Sequence, residues 1–248
     1  MLQDLKEVSV LKIRIKFTKT GPVRYIGHLD VMRYFQKLNR RAGLDVKYTT
    51  GFSPHQIMSF AAPLGVGLES FGEYVDIEVN SSLSTSVSIG ALNNASVEGI
   101  QAVNYVCLPE GTPNAMSSVA AADYRVRIKD DYKPEGYGDI STLSEKFNEF
   151  LAKDSIVVLK ASKKSEREVD LKPLIYDAFV DDDGSFIMKL STGSVENLKP
   201  ELVMETFYQF LGQEMNQFAL DICRLEVYGV NPQNGEFMPL EKFGDVIE

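Results

Sequence analysis

An α+β fold made of two similar units in tandem is predicted by three observations in this 248-residue sequence. Apolar and basic residues alternate at 11–17 and again at 125–129, which is typical of a strand with one buried face. Each alternating stretch is followed by helix and strand patterns in the same order. Residues 109–122 separate the copies and have the proline, glycine, serine and alanine composition of a linker.

The first copy has the order strand, helix, strand, strand, helix, strand. Its first helix is predicted from Leu29 to Ala42, because Val31, Phe35 and Leu38 share one stripe and Gly43 can end the helix in the left-handed conformation. The other predicted elements are strands at 45–49, 73–79 and 100–108 and a weakly patterned helix near 84–95.

The second copy repeats this order after its strand at 125–129. A capping box from Thr142 to Glu145 predicts the start of a helix, and a second helix is predicted from Pro200 to Gly212 because proline suits a first helical turn. The other predicted elements are strands at 156–160, 185–190 and 223–230.

The order β-α-β-β-α-β, found twice, is that of the ferredoxin-like unit, an antiparallel sheet with two helices on one face. We predict a first unit at 1–108 with a basic helix and a binding surface, a linker at 109–122, and a second unit at 123–248. The second unit is expected to be a scaffold, because its helix has Glu145 and Glu149 where the first has arginines. A single larger α+β domain is the alternative.

Composition excludes several classes of protein. No stretch reaches the roughly 18 consecutive apolar residues of a membrane helix, and the N-terminal residues lack the pattern of a signal peptide, so a cytoplasmic protein is expected. Cys107 and Cys223 are too few for a disulfide framework or a four-thiolate metal site. His28, His55 and Asp30 have no recognised metal-ligand spacing, so neither a metal nor a cofactor is predicted.

Charge is distributed unevenly along the chain. Residues 11–57 contain ten lysines and arginines against two aspartates, a net +8, whereas the whole chain has −9 and the remainder therefore −17. Such a basic region can attract one polyanion or one acidic partner, while the acidic remainder of the surface repels polyanions that bind non-specifically. A solvated face on which cations happen to cluster is the alternative.

The first helix and its flanks form the predicted binding surface. Four cations spaced three and four residues apart would lie on its exposed face, and both histidines of the chain flank it together with aromatic residues. Aromatic rings beside arginines favour single-stranded RNA or nucleotide recognition. The predicted RNA-binding residues are Arg24, Tyr25, His28, Arg33, Lys37, Arg40, Arg41, Phe52, His55 and Gln56. Packing of the two rings at the core edge, and a capping role for the histidines, are the structural alternatives.

Several motifs in this region, and one in the second half, resemble a bacterial family of unknown function. The matching stretches are Arg24–Asp30, Arg40–Leu44, Tyr48, Gly51–His55, Pro63–Gly67, Glu73–Tyr74 and Val169–Ile175. Members of that family look like partners of radical S-adenosylmethionine proteins, encoded beside them or fused to their C-terminal end. The resemblance implies association with such an enzyme, which would supply the radical step because this chain lacks the three-cysteine cluster motif.

Three functions are consistent with these observations. The first is an accessory or substrate-binding module, for RNA, that works with a radical S-adenosylmethionine enzyme and has no activity alone. The second is a metal-independent endoribonuclease with His28 or His55 as general acid or base, since the topology is similar to that of the tandem ferredoxin-like enzymes that process CRISPR transcripts. The third is an adaptor whose basic face docks an acidic protein without nucleic acid.

Overall fold

A computed structural model describes residues 10–161, 166–194 and 196–248. The described residues form a mixed α+β protein with five α-helices and mostly antiparallel strands, which confirms the predicted fold class at that level. The chain divides into two compact units, one of residues up to 119 together with 228–248 and the other of residues 120–227. The predicted second unit ran to residue 248, whereas residues 228–248 group with the first.

The first unit contains most of the elements predicted for it. Its elements are β1 (Leu11–Lys19), α1 (His28–Arg41), β2 (Met58–Phe60), β3 (Glu69–Val79), α2 (Thr85–Ala95), β4 (Ala102–Leu108) and α3 (Ala115–Ser118). The strand order is β4-β1-β3, β2 pairs with β3, and every one of these pairs is antiparallel. The predicted strand at 45–49 is wrong, because Val46 and Tyr48 form only isolated bridges. The helix α3 lies inside the predicted linker.

The core of the first unit lies between the sheet and the two long helices. Ile13, Ile15 and Phe17 alternate along β1 and are buried, as the period-two pattern predicts. They belong to one apolar cluster with Phe35 and Leu38 of α1. This packing fixes which face of α1 is turned toward the sheet and which is left exposed.

The other face of β1 differs from its prediction. Its basic residues were expected to meet water, but Arg14 is fully buried. Arg14 makes a two-pronged ion pair with Asp76 of β3, with Nε 2.7 Å from Oδ1 and Nη2 2.9 Å from Oδ2. It also donates to the backbone oxygen of Leu240 at 3.1 Å, so the C-terminal segment covers this face. Lys16 pairs there with Glu241 at 2.9 Å.

The second unit contains an unpredicted sheet strand. Its elements are β5 (Ala121–Ile128), α4 (Ile140–Leu151), β6 (Val157–Ala161), β7 (Glu166–Asp170), β8 (Ile175–Val180), β9 (Phe186–Ser191), α5 (Pro200–Phe210) and β10 (Leu220–Val230). The last three residues of β10, 228–230, group with the first unit and pair with β11 (Phe237–Pro239). The strand order is β10-β5-β9-β8, while β6 and β7 form a separate hairpin. The predicted strand at 156–160 therefore lies in the hairpin, and β8 takes the expected place beside β9.

The predicted capping box at Thr142 is wrong. The helix α4 begins at Ile140, and the Asp139 side chain accepts the hydrogen bond from the Thr142 backbone N–H at 2.9 Å. No described helix is long and apolar enough to span a membrane. The N-terminal residues used to argue against a signal peptide lie outside the described part of the chain.

Candidate functional site

The exposed face of α1 carries a row of cations. Arg33, Lys37 and Arg40 are exposed and lie within about 60° of one another around the helix axis, at about 100° per residue. These three residues are called the basic ridge. Arg33 pairs with Asp30 at 3.3 Å, but both side chains are well exposed, and such an ion pair contributes little to stability. Arg41 is exposed but turned to the side, with its guanidinium 5.6 Å from the centre of the Tyr34 ring.

A narrow loop, residues 47–57, lies beside the ridge and is called the Phe52 loop. Its two sides are joined by backbone hydrogen bonds from Ile57 to Lys47 at 3.1 Å and from Thr49 to His55 at 2.9 Å. His55 is exposed, and its Nδ1 lies 3.1 Å from the Thr49 hydroxyl. At the tip, Phe52 has a relative exposure of 112%, so its ring packs against none of the residues that the structure describes.

Gln56 anchors this loop to α1 and is buried, with 5% exposure. Its Oε1 accepts a hydrogen bond from Asn39 at 3.0 Å, and its Nε2 donates to the Gln36 carbonyl at 3.0 Å and to the Tyr48 hydroxyl at 3.2 Å. The role predicted for Gln56 was contact with RNA. The structure instead places it as the residue that positions the loop.

The link between the loop and the ridge is a single oxygen atom. The Gln36 carbonyl that accepts from Gln56 also accepts a hydrogen bond from Nε of Arg40, at 3.2 Å. Arg40 and the buried anchor of the Phe52 loop are therefore fixed to the same point of α1. Tyr48, which is 43% exposed, continues the chain of contacts from Gln56.

Arg24 and Tyr25 lie before α1, in a short 3-10 turn at Gly21–Tyr25. Arg24 donates from Nη2 to the Tyr25 hydroxyl at 2.8 Å, and its guanidinium is 4.9 Å from the centre of that ring. Its Nη1 is also 3.6 Å from Glu69. This pair of side chains is available at the surface, but it belongs to the start of the helix rather than to the ridge.

His28 faces a different direction. It lies about 140° around α1 from Arg33, at about 100° per residue, and its ring meets that of Phe60 edge to face at 5.3 Å. Beside it is a cavity of about 10 Å³, lined also by buried Lys19 and Glu73, which has room for about one water. The structure thus joins the loop that carries Tyr48, Phe52 and His55 to α1 near Arg40, and places His28 on another side of the helix.

Lys19 and Glu73 were not among the predicted site residues. A signal for Lys19 exists in the sequence, because it continues the apolar phase of Ile13, Ile15 and Phe17 along β1. A lysine at such a position must be buried with a partner, and its Nζ donates to the Arg24 carbonyl at 2.9 Å. Glu73 has the same kind of signal, because it lies in the period-two phase of Val75, Ile77 and Val79, which are buried along β3.

Replacing His28 with glutamine should remove part of the pH dependence of stability. Burial lowers the pKa of His28, and the nearby charge of Glu73 only partly opposes this, so the unfolded state binds a proton more readily than the folded one. Stability should then fall as the pH drops below the ordinary value of 6.5. Urea unfolding of wild type and His28→Gln from pH 7.5 to 5 measures this.

The control for this experiment is His55→Gln, which changes the other, exposed histidine. It measures how much a histidine outside the His28 cavity contributes to the slope of stability against pH. Equal slopes for wild type and His28→Gln over that range would contradict the assignment of the slope to His28.

The described residues contain no group of three histidine, cysteine, aspartate or glutamate side chains that could hold a metal ion. In a comparison with known families, residues 12–200 match DUF2344, described as an uncharacterized protein conserved in bacteria. No curated protein matches the chain. The match confirms the resemblance to a bacterial family of unknown function, and covers the ridge, the Phe52 loop and the His28 cavity.

Proposed function

The chain belongs to the DUF2344 family of bacterial proteins, and on that premise we propose that it is an accessory module that binds RNA for a radical S-adenosylmethionine enzyme. One observation carries the RNA-binding part of this proposal. Three exposed cations follow one face of α1 on a protein whose net charge is −9. A local row of cations can bind one polyanion, while the negative charge of the rest of the protein repels polyanions elsewhere on its surface.

The partnership with a radical enzyme is supported by the motif resemblance and by cysteine content. This chain has two cysteines, fewer than the three thiolates that the cluster of such an enzyme requires, so a separate protein would carry out the radical step. Within this proposal both units are ferredoxin-like. The strand orders β4-β1-β3-β2 and β10-β5-β9-β8, each interleaved with two helices, support that description.

The geometry gives less support to a ribonuclease. The His28 ring packs against Phe60 beside a cavity for about one water, which leaves no room there for a ribose and phosphate. His55 is exposed, and in the described part of the chain its Nδ1 contacts the Thr49 hydroxyl and the Ser53 carbonyl. Neither partner is a carboxylate, the group that stabilises the protonated ring in a Ser-His-Asp triad.

Removing two ridge cations should weaken RNA binding and make it less dependent on salt. If the ridge contacts three phosphates of a single strand, the plot of log Kobs against log salt has a slope of about −2, and Lys37→Ala with Arg40→Ala should bring it to about −0.7. Affinity at low salt should fall about tenfold, because two exposed charge contacts are lost. Fluorescence anisotropy with tRNA and ribosomal RNA fragments over 50–300 mM KCl measures both quantities.

The matched control removes the same two charges elsewhere, by Lys133→Ala with Lys153→Ala, both exposed residues of the other unit. Its affinity and salt slope should equal those of wild type. An equal loss in both double variants would mean that only net charge matters, and absence of RNA binding would refute the proposal. Co-purification of a radical enzyme without RNA, abolished by Lys37→Glu with Arg40→Glu, would instead favour protein docking.

A further inference from the structure

Phe52 is exposed although hydrogen bonds hold the loop that carries it. Backbone hydrogen bonds at 2.9 and 3.1 Å hold the two sides of the loop together, and the Thr49 hydroxyl accepts from the His55 backbone N–H at 3.1 Å. Gly51 has φ +121°, a conformation that side chains rarely adopt, and this turn carries Phe52 outward. Burial of an aromatic ring stabilises a fold, yet no residue in the described part of the chain covers this one.

The loop that carries this ring is joined to the helix of the basic ridge. Gln56 at the base of the loop and Arg40 of the ridge both donate to the Gln36 carbonyl, at 3.0 and 3.2 Å. The loop is therefore attached to α1 one helical turn from Arg40. Tyr48, which is exposed, contacts the anchor Gln56, and Phe52 stands at the tip of the loop, four residues from this anchor.

An exposed ring on a loop that is joined to a cation-bearing helix matches a nucleotide with an accessible base. Arginine and lysine contact phosphates, and an aromatic ring stacks on the face of a base. A continuous duplex hides its base faces in the helical stack and presents phosphates alone. A single strand, loop or bulge presents both, so only these forms of RNA can use Phe52 and the ridge together.

We infer that Phe52 stacks on an unpaired base while the basic ridge holds the flanking phosphates, so the substrate class is RNA with unpaired nucleotides. This inference rests on the proposed RNA binding and adds its specificity. The Phe52 loop then supplies the preference for unpaired RNA, and the ridge supplies affinity that does not depend on base pairing.

A tryptophan at position 52 tests the inference directly, because the chain contains no tryptophan and Phe52→Trp has a single such fluorophore. Titration with a 12-nucleotide single-stranded RNA should quench its emission, since the indole stacks on a base, and a blunt duplex of the same sequence should leave it unchanged. Phe218→Trp, at an exposed ring of the other unit, is the matched control and should show no quenching with either RNA.

Affinity measurements complete the test. Phe52→Ala should weaken binding of the single strand about tenfold, Phe52→Tyr should retain it, and neither should alter duplex binding. The melting temperature of Phe52→Ala should equal that of wild type, because the Phe52 ring is fully exposed. A lower melting temperature would overturn the inference by showing that Phe52 is a packing residue.

Failure of the inference can be told from failure of the proposed function. Equal affinity for single strand and duplex, with no quenching at position 52 but a continuing loss of affinity in Lys37→Ala with Arg40→Ala, would overturn base stacking and leave RNA binding intact. No binding of either RNA by wild type would overturn both.

Discussion

Arg14→Met is expected to lower the free energy of unfolding by about 3–5 kcal/mol, because it leaves the buried carboxylate of Asp76 without its charged partner. Arg14 is fully buried, and its guanidinium makes two contacts to Asp76 and donates to the backbone oxygens of Leu240 and Pro113 at 3.1 and 3.3 Å. All of these contacts lie within the first unit. Urea unfolding of the full chain, followed by circular dichroism, measures the change.

The matched control is Lys12→Met on the same face of β1. Lys12 is partly exposed and donates one hydrogen bond, to the Thr112 carbonyl at 2.9 Å, so its loss should cost only about 0.5–1.5 kcal/mol. Combining Arg14→Met with Asp76→Leu should recover most of the lost stability, because a buried ion pair can be replaced by apolar side chains at little net cost. Equal costs for Arg14→Met and Lys12→Met would contradict this account.

Release of the C-terminal segment should accompany the loss of Arg14. That segment is held by the Arg14 bond to Leu240 and by two backbone hydrogen bonds between Cys107 and Asp245, at 2.8 and 2.9 Å. Amide hydrogen exchange of residues 240–247 should therefore be faster in Arg14→Met than in Lys12→Met. Unchanged protection there would show that the other contacts suffice.

The parts of the fold that sequence periodicity predicted are those set by short-range patterns. The stripe of Val31, Phe35 and Leu38 predicted both the extent of α1 and its buried face, and the structure confirms it. Alternation along β1 likewise predicted its apolar face. The prediction that the opposite face meets water was wrong, because the partners of Arg14 are Asp76 and Leu240, which lie 62 and 226 residues away in the sequence. A period-two pattern cannot distinguish cations in water from cations covered by a distant segment.

The sequence pattern was also unable to predict which strands of the second unit belong to its main sheet. Residues 156–160 have a strand pattern and do form β6, but this strand pairs with β7 in a separate hairpin. The place in the sheet belongs to Ile175–Val180, which pairs with β9. Local propensity predicts that a segment is extended, whereas its partner is decided by packing along the whole chain.

The candidate site shows the same division between local and long-range information. The exposed positions of Arg33, Lys37 and Arg40 follow from helical spacing and were predicted. The burial of Gln56 could not be predicted, because its hydrogen-bond partners Asn39 and the Gln36 carbonyl lie on a helix reached through tertiary packing. The separation of His28 from the ridge follows from its helical phase, which predicts an inward direction for its side chain.

Gly99→Ala is expected to destabilise the first unit by about 3–5 kcal/mol, from backbone strain and a steric clash together. Gly99 has φ +89°, and an added Cβ would lie 2.2 Å from the Thr20 carbonyl oxygen and 2.8 Å from Cγ2 of Val23. The carbonyl of Gly99 also accepts the hydrogen bond from the Thr20 backbone N–H at 2.9 Å, so the two backbones cannot separate without losing it. Urea unfolding of the full chain measures the loss.

Gly90→Ala is the matched control, because Gly90 lies inside α2 and its added Cβ would meet no atom within 4 Å. Alanine loses less conformational entropy than glycine in a helix, so this variant should be more stable by about 0.5–1 kcal/mol. The same chemical change should thus have opposite signs at two positions of one unit. A Gly99→Ala protein within 1 kcal/mol of wild type would show that the segment at 20–25 moves aside at little cost, and the close approach would then not constrain the start of α1.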